Sequence, residues 1–146
     1  MVQNVPTKCS RNILCCTFSV GNTTLACDFE NSALCAYTSD PTGQFRWTRS
    51  TGRTTSSQTG PSSDHTYGTA VGHYLYIEAS APRQSGDKAR LVSADYSPIG
   101  SQCLEFWYNM YGRDTGTLNV YLKKGTNLGS PVLTKQGNKC HNKMHV

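Results

Sequence analysis

Three sets of side chains in this sequence could do chemistry: its cysteines, two of its histidines, and a few acids at the ends of strand-like stretches. Seven cysteines stand at positions 9, 15, 16, 27, 35, 103 and 140. They form no paired C-x-x-C sets and have no histidine at zinc-finger spacing beside them, which disfavours a structural zinc. What remains is an oxidising compartment, where a β domain of this size gains stability from cross-links. An odd number leaves at least one thiol without a partner in the chain, so it pairs with another chain or the polypeptide is incomplete.

His65 and His73 are the residues to weigh for catalysis, since a general base needs a nucleophile and an orienting acid brought to it. The sequence holds no H-E-x-x-H, no G-x-S-x-G and no phosphate-binding glycine loop. Asp64 and His65 are neighbours on opposite sides of an extended backbone, which is poor geometry for a dyad. The expectation is a domain that is not an enzyme and requires no cofactor. Asp28, Glu30 and Asp64 are the acids placed to hold a cation. Ca²⁺ takes six to eight oxygen ligands, and carboxylates at strand ends supply them. The competing reading stays open: alternate acids on a strand face solvent, and an Asp before a strand hydrogen-bonds its own turn.

Short strand-like stretches separated by turn-rich ones must position these groups, the pattern of an antiparallel, jelly-roll-like β-sandwich. Strands are expected at Thr24–Glu30, Gln44–Ser50, Gly72–Ala79, Lys88–Ala94, Cys103–Tyr111 and Thr117–Lys123, with no helix of useful length. In Gly72–Ala79, His73, Leu75, Ile77 and Ala79 point one way, and Tyr74, Tyr76 and Glu78 the other. Cys103–Tyr111 is apolar on both faces and should lie centrally. Leu118, Val120 and Leu122 should face inward. Gly112–Gly116 reads as a tight hairpin between the last two strands. Between Thr48 and Thr66 there is no aliphatic or aromatic side chain, so this is a long surface loop and a candidate contact surface. Trp47 and Trp107 read as core, whereas Tyr74, Tyr76 and Tyr121 read as exposed, suited to a protein contact or to sugar stacking.

Composition agrees. Thr, Ser and Gly fill 45 of 146 positions and mean hydropathy is -0.50, a mixture that suits a β domain with polar loops better than a helical bundle. The length allows one core. Net charge is +5, yet residues 27–122 hold seven basic and nine acidic side chains, near -2. The positive charge therefore sits in the flanks and reads as solvated, which argues against a nucleic-acid partner. No apolar run reaches the roughly 18 residues a membrane span requires, so no direct membrane insertion is expected. The first residues show no clear signal peptide.

From Cys27 onward the blocks CDFENSALCAYTSD, FRWTRSTGRT, TGPSSDHT, VGHYLYIEAS, KARLVSADYS and CLEFWYNMYGRDTGTLNVYLKK follow one another. Six blocks in this order resemble the MAM domain, the adhesion module of meprin, the A5 antigen and receptor-type tyrosine phosphatase mu. The resemblance assigns residues 27–146 to that domain and leaves 1–26 as a flank, where Cys9, Cys15 and Cys16 hint at an upstream module. It implies a Cys27–Cys35 disulfide, which would contribute about 2.5 kcal/mol on the chain-entropy model. It pairs Cys103 with a later cysteine that this sequence lacks, so that the last strands are expected to be missing, with Cys140 as a substitute partner. Some relatives hold a cation around acids like Asp28, Glu30 and Asp64. Asn22, in Asn22–Thr23–Thr24, is the N-glycosylation acceptor. The implied function is an adhesion or interaction module of a cell-surface or secreted protein, making homophilic contacts or contacts with neighbouring extracellular domains. The alternatives are an accessory oligomerisation or substrate domain of a secreted metalloproteinase, and a carbohydrate-binding module.

Overall fold

The computed structural model describes residues 27–95, 104 and 106–138. Its strands are β1 (Thr38–Ser39), β2 (Thr48–Thr51), β3 (His73–Tyr76), β4 (Leu91–Val92), β5 (Thr117–Val120) and β6 (Leu133–Gln136). Each belongs to an antiparallel pair: β1 with β4, β2 with β3, and β5 with β6. Among the described residues the one helical element is a three-residue 3-10 turn, Leu34–Ala36, so the fold is all-β and antiparallel as the sequence reading expects.

The β2–β3 ladder is the centre of this arrangement. Its register sets Arg49 opposite Leu75 and Ser50 opposite Tyr74. Side chains alternate across a strand, so one face carries Leu75 with Arg49 and the other carries Tyr74 with Ser50. On the first face Leu75 is fully buried and packs in a core with Phe29, Trp47, Met110 and Leu118, against which Tyr37, Ile77, Leu91, Phe106 and Tyr108 close. On the second face Tyr74 is also buried, because the segment that follows β2 folds back over it. The Tyr74 hydroxyl donates to the Gly52 carbonyl (2.8 Å). Ser56 donates to the Glu78 carboxylate (2.9 Å). Thr59 Oγ1 and the Gly60 N–H both donate to the Tyr111 carbonyl (2.6 and 3.4 Å). Gly112 lets this lacing come close: its φ is +139°, and a Cβ there would stand 2.6 Å from Thr59 Oγ1.

Several expected elements differ. Cys27–Glu30 is not a strand. Asp28 Oδ1 accepts the Glu30 N–H (3.0 Å) and Phe29 has φ +62°, so the chain turns and drives the Phe29 ring into the core. Of the strand expected at Gln44–Ser50 the ladder keeps Thr48–Ser50 and adds Thr51, so the long loop starts at Gly52. Among the described residues 104–111 hold no ladder strand. Phe106 and Tyr108 pack against the core, Met110 is buried in it, and Leu104 is exposed. Gly112–Gly116 does not join two paired strands: β5 finds its partner downstream in β6, with Leu118 opposite Lys135 and Val120 opposite Leu133. Regular pairing stops after Val120, which leaves Leu122 exposed rather than inward.

Two substitutions test this packing. Leu75→Ala empties a fully buried position and should cost roughly 2–5 kcal/mol in urea unfolding, by lost burial plus the cavity left behind; a loss below about 1 kcal/mol would show that Leu75 is not at the centre of the core. Tyr74→Phe removes the hydroxyl that holds Gly52 and should cost roughly 0.5–1.5 kcal/mol. Burial raises the Tyr74 phenol above its ordinary value of 10.0. The stabilisation tied to the neutral phenol is therefore complete below that value and is lost as pH climbs through the higher folded one. Unfolding measured across the alkaline range should show this decline in the wild type and a shallower one in Tyr74→Phe.

Candidate functional site

Past the lacing, the same connection forms a tight loop around one carboxylate. Asp64 is fully buried. Its Oδ2 accepts the Tyr67 N–H (2.6 Å) and its Oδ1 accepts the Thr69 N–H (2.9 Å), while its own N–H donates to the Thr69 carbonyl (3.0 Å). Hydrogen bonds to a carboxylate are stronger than those between neutral groups, and here they fold residues 64–69 about a single side chain. Gly72 closes the loop against that carboxylate, since a Cβ there would stand 2.2 Å from Asp64 Cγ. At the loop's start His65 stacks on Trp107, with centroids 3.7 Å apart.

Wrapped this way, the loop turns its apolar side chains outward. Tyr67 is 63% and Val71 77% exposed, the highest values among large hydrophobic residues in the described part of the chain. Thr69, between them, donates its N–H inward to Asp64 and accepts the Gly72 N–H at its hydroxyl (3.3 Å). An apolar pair on a braced loop would meet a partner with little further cost of ordering.

The sequence-derived site residues fall in different places. Cys27 and Cys35 form a disulfide, Cα to Cα 5.6 Å, as the resemblance implied. Cys103, Cys140 and Asn22 lie outside the described residues. Tyr74 is not an exposed contact residue: it is buried beneath the loop and bonded to it. Tyr76 and Tyr121 are half-buried, and Tyr76 meets Tyr74 edge-on with centroids 6.3 Å apart. Tyr67 and Val71 were missed because they stand at and beyond the end of the apolar-free run. Their signal was there to read: two bulky side chains in a Gly-punctuated stretch, Tyr67–Gly68 and Val71–Gly72, too short to bury them.

The three acids are engaged by the chain itself. Asp28 caps the Glu30 N–H, Asp64 holds its own loop, and Glu30 accepts the His73 N–H at Oε1 (2.7 Å) while Oε2 meets His73 Nδ1 (2.6 Å). Among the described residues no three His, Cys, Asp or Glu side chains gather as a cation cage would require. The same contacts bear on catalysis. His73 Nδ1 is held by Glu30 and the His65 ring lies against Trp107, so each imidazole has a structural role.

A family model for the MAM domain, meprin/A5/mu, matches residues 27–143. Over 137 residues, 82% of this chain, the sequence is 41% identical to MAM domain-containing glycosylphosphatidylinositol anchor protein 2 of Mus musculus. It is 42% identical over 121 residues, 77% of the chain, to MAM domain-containing glycosylphosphatidylinositol anchor protein 1 of Rattus norvegicus. It is 48% identical over 99 residues, 67% of the chain, to MAM domain-containing protein 2 of Homo sapiens. The matches cover 14%, 12% and 14% of those relatives' own lengths. A family match across most of the sequence, with identities of this size and an all-β antiparallel fold, means that the chain belongs to the MAM domain family.

Proposed function

We propose that this domain is an extracellular, non-catalytic interaction module, and that it makes its protein contact through the tip of the Asp64 loop, Tyr67 to Val71. The observation that carries the reading is the pairing of exposure with bracing: two large apolar side chains stand in solvent on a loop tied to a buried carboxylate. Tyrosine is enriched at the centres of protein interfaces, and a backbone already held in place lowers the cost of binding there. The relatives named as glycosylphosphatidylinositol anchor proteins support a cell-surface setting. Among the described residues no helix is long and apolar enough to cross a membrane. The partner is a second copy of this domain or a neighbouring extracellular domain.

Two alternatives weigh less. A sugar-stacking platform built on Tyr74 and Tyr76 loses its first ring to burial. An accessory role beside a metalloproteinase needs a protease domain elsewhere in a longer protein, and the relatives described above carry no protease in their names.

The test is bead aggregation with the immobilised chain, compared with Tyr67→Ser/Val71→Ser. Both side chains are exposed, so the double variant should unfold within about 0.5 kcal/mol of the wild type. Its aggregation should fall by about tenfold or more, the loss of at least 1.4 kcal/mol expected when interface anchors are removed. Undiminished aggregation would move the contact off this loop, and a wild type that never aggregates would leave a neighbouring domain as the partner.

A further inference from the structure

Positive charge gathers beside one turn of the fold. The turn Asp40–Phe45 follows β1 and runs beside the segment before β4. Gln44 donates its N–H to the Lys88 carbonyl (2.9 Å), and its side-chain Oε1 accepts the Lys88 N–H (2.8 Å). Asp40 donates its N–H to the Arg90 carbonyl (3.1 Å), and the Arg90 guanidinium reaches back to Thr42 Oγ1. From the other side Arg83 donates to the Gln44 carbonyl (3.1 Å) and lies over the Phe45 ring, 5.0 Å from its centroid. The Thr42 hydroxyl and N–H hold the Asp40 carboxyl below its ordinary value, and the charges of Arg90 and, from the chain just past β5, Lys123 act in the same direction.

The local balance is four cations, Arg83, Lys88, Arg90 and Lys123, against two acids. Both acids are occupied. Asp40 caps Thr42 through its N–H and hydroxyl, and Asp87 accepts the Gln84 N–H (3.0 Å). Lys88 and Lys123 are exposed. Arg83 and Arg90 each use one guanidinium nitrogen in the bonds just named, and the planar fork leaves the others to meet tetrahedral oxyanions. The charge sum of residues 27–122, near -2, hides this, because it averages the basic run Arg83 to Arg90 with acids elsewhere in the chain and leaves out Lys123.

We infer that the Asp40–Phe45 turn, with Arg83, Lys88, Arg90 and Lys123 around it, is a binding surface for a sulfated glycosaminoglycan chain. The extracellular setting under Proposed function favours that polyanion over nucleic acid. The surface is exposed backbone and long flexible cations, with no pocket required, which suits a linear polymer carrying a repeated charge. Attraction of this kind is released by salt, since each cation that neutralises a sulfate frees a counterion.

Heparin affinity of the full chain, measured over a series of salt concentrations, tests the inference. The wild type should be retained and should show a steep loss of affinity with salt. Lys88→Ser/Lys123→Ser changes two exposed side chains whose charged ends make no hydrogen bond among the described residues. It should weaken binding about tenfold and lower the salt slope by roughly two, one for each lysine. Lys88→Arg/Lys123→Arg should restore retention. Arg113→Ser, at a site 92% exposed and paired with Asp114, should elute with the wild type. Tyr67→Ser/Val71→Ser should also elute unchanged, which separates this surface from the apolar loop tip. Equal binding by the two-lysine serine variant would overturn the assignment. So would equal binding of fully desulfated heparin, or effective competition by phosphatidylserine vesicles.

Discussion

The rest of the structure depends on how Arg49 and His73 hold the turn at Phe29. Phe29 is buried with φ +62°, a backbone region that a bulky L-residue enters only when its surroundings impose it. Those surroundings can be named. From β2, Arg49 Nε donates to the Phe29 carbonyl (2.6 Å), and its Nη2 donates to the Glu30 carbonyl (2.5 Å). From β3, His73 engages both Glu30 carboxylate oxygens. One guanidinium and one imidazole thus tie the turn to both strands of the central ladder, and the Cys27–Cys35 disulfide closes it from its own side. The hydrogen bonds to charged groups offset the backbone strain, and the ring they position fills the core beside Leu75.

With one face of β2–β3 sealed by Phe29, the other face must still be covered, because Tyr74 is too large to leave stacked on an open sheet. The polar connection does this without an apolar residue of its own. Hydroxyls of Thr59 and Ser56 and the carbonyl of Gly52 make directional contacts where a core would use surface area. The lacing ends at Tyr111, where the Asp64 loop begins its excursion. A buried carboxylate folds that loop, so its outer side chains are free of structural duty. Tyr67 and Val71 are therefore left in solvent on a loop whose backbone is already held.

Much of this was legible in the sequence, and the failures have physical causes. Ordered motifs from Cys27 to Lys124 identified the family, and the period-two pattern around Leu75 located β3 because strand alternation is written residue by residue. Tyr74 was read as exposed for the same reason: alternation tells which residues share a face and says nothing about what covers it. The Phe29 turn was invisible because its stabilising donors, Arg49 and His73, are 19 to 43 residues away in sequence. Asp64 was noticed for the right chemistry, a carboxylate needing partners, but two of the groups it holds are backbone N–H groups five residues away or less, and nothing in composition separates that arrangement from a metal ligand.

The two surfaces proposed for binding rest on different physics and divide the work of an extracellular contact. The loop tip is apolar and braced, so its affinity comes from desolvation at short range and depends little on salt. The cationic turn acts through charge, and its attraction extends about a Debye length, near 8 Å at physiological ionic strength. Charge of that reach raises the rate of encounter more than the strength of the final complex. A domain held near a sulfated matrix by such a surface would meet protein partners at raised local concentration, so a weak apolar contact could suffice. On that division an exposed patch as small as Tyr67 and Val71 could be enough, while Arg83 and Arg90 also hold the turn through Gln44, Phe45 and Thr42.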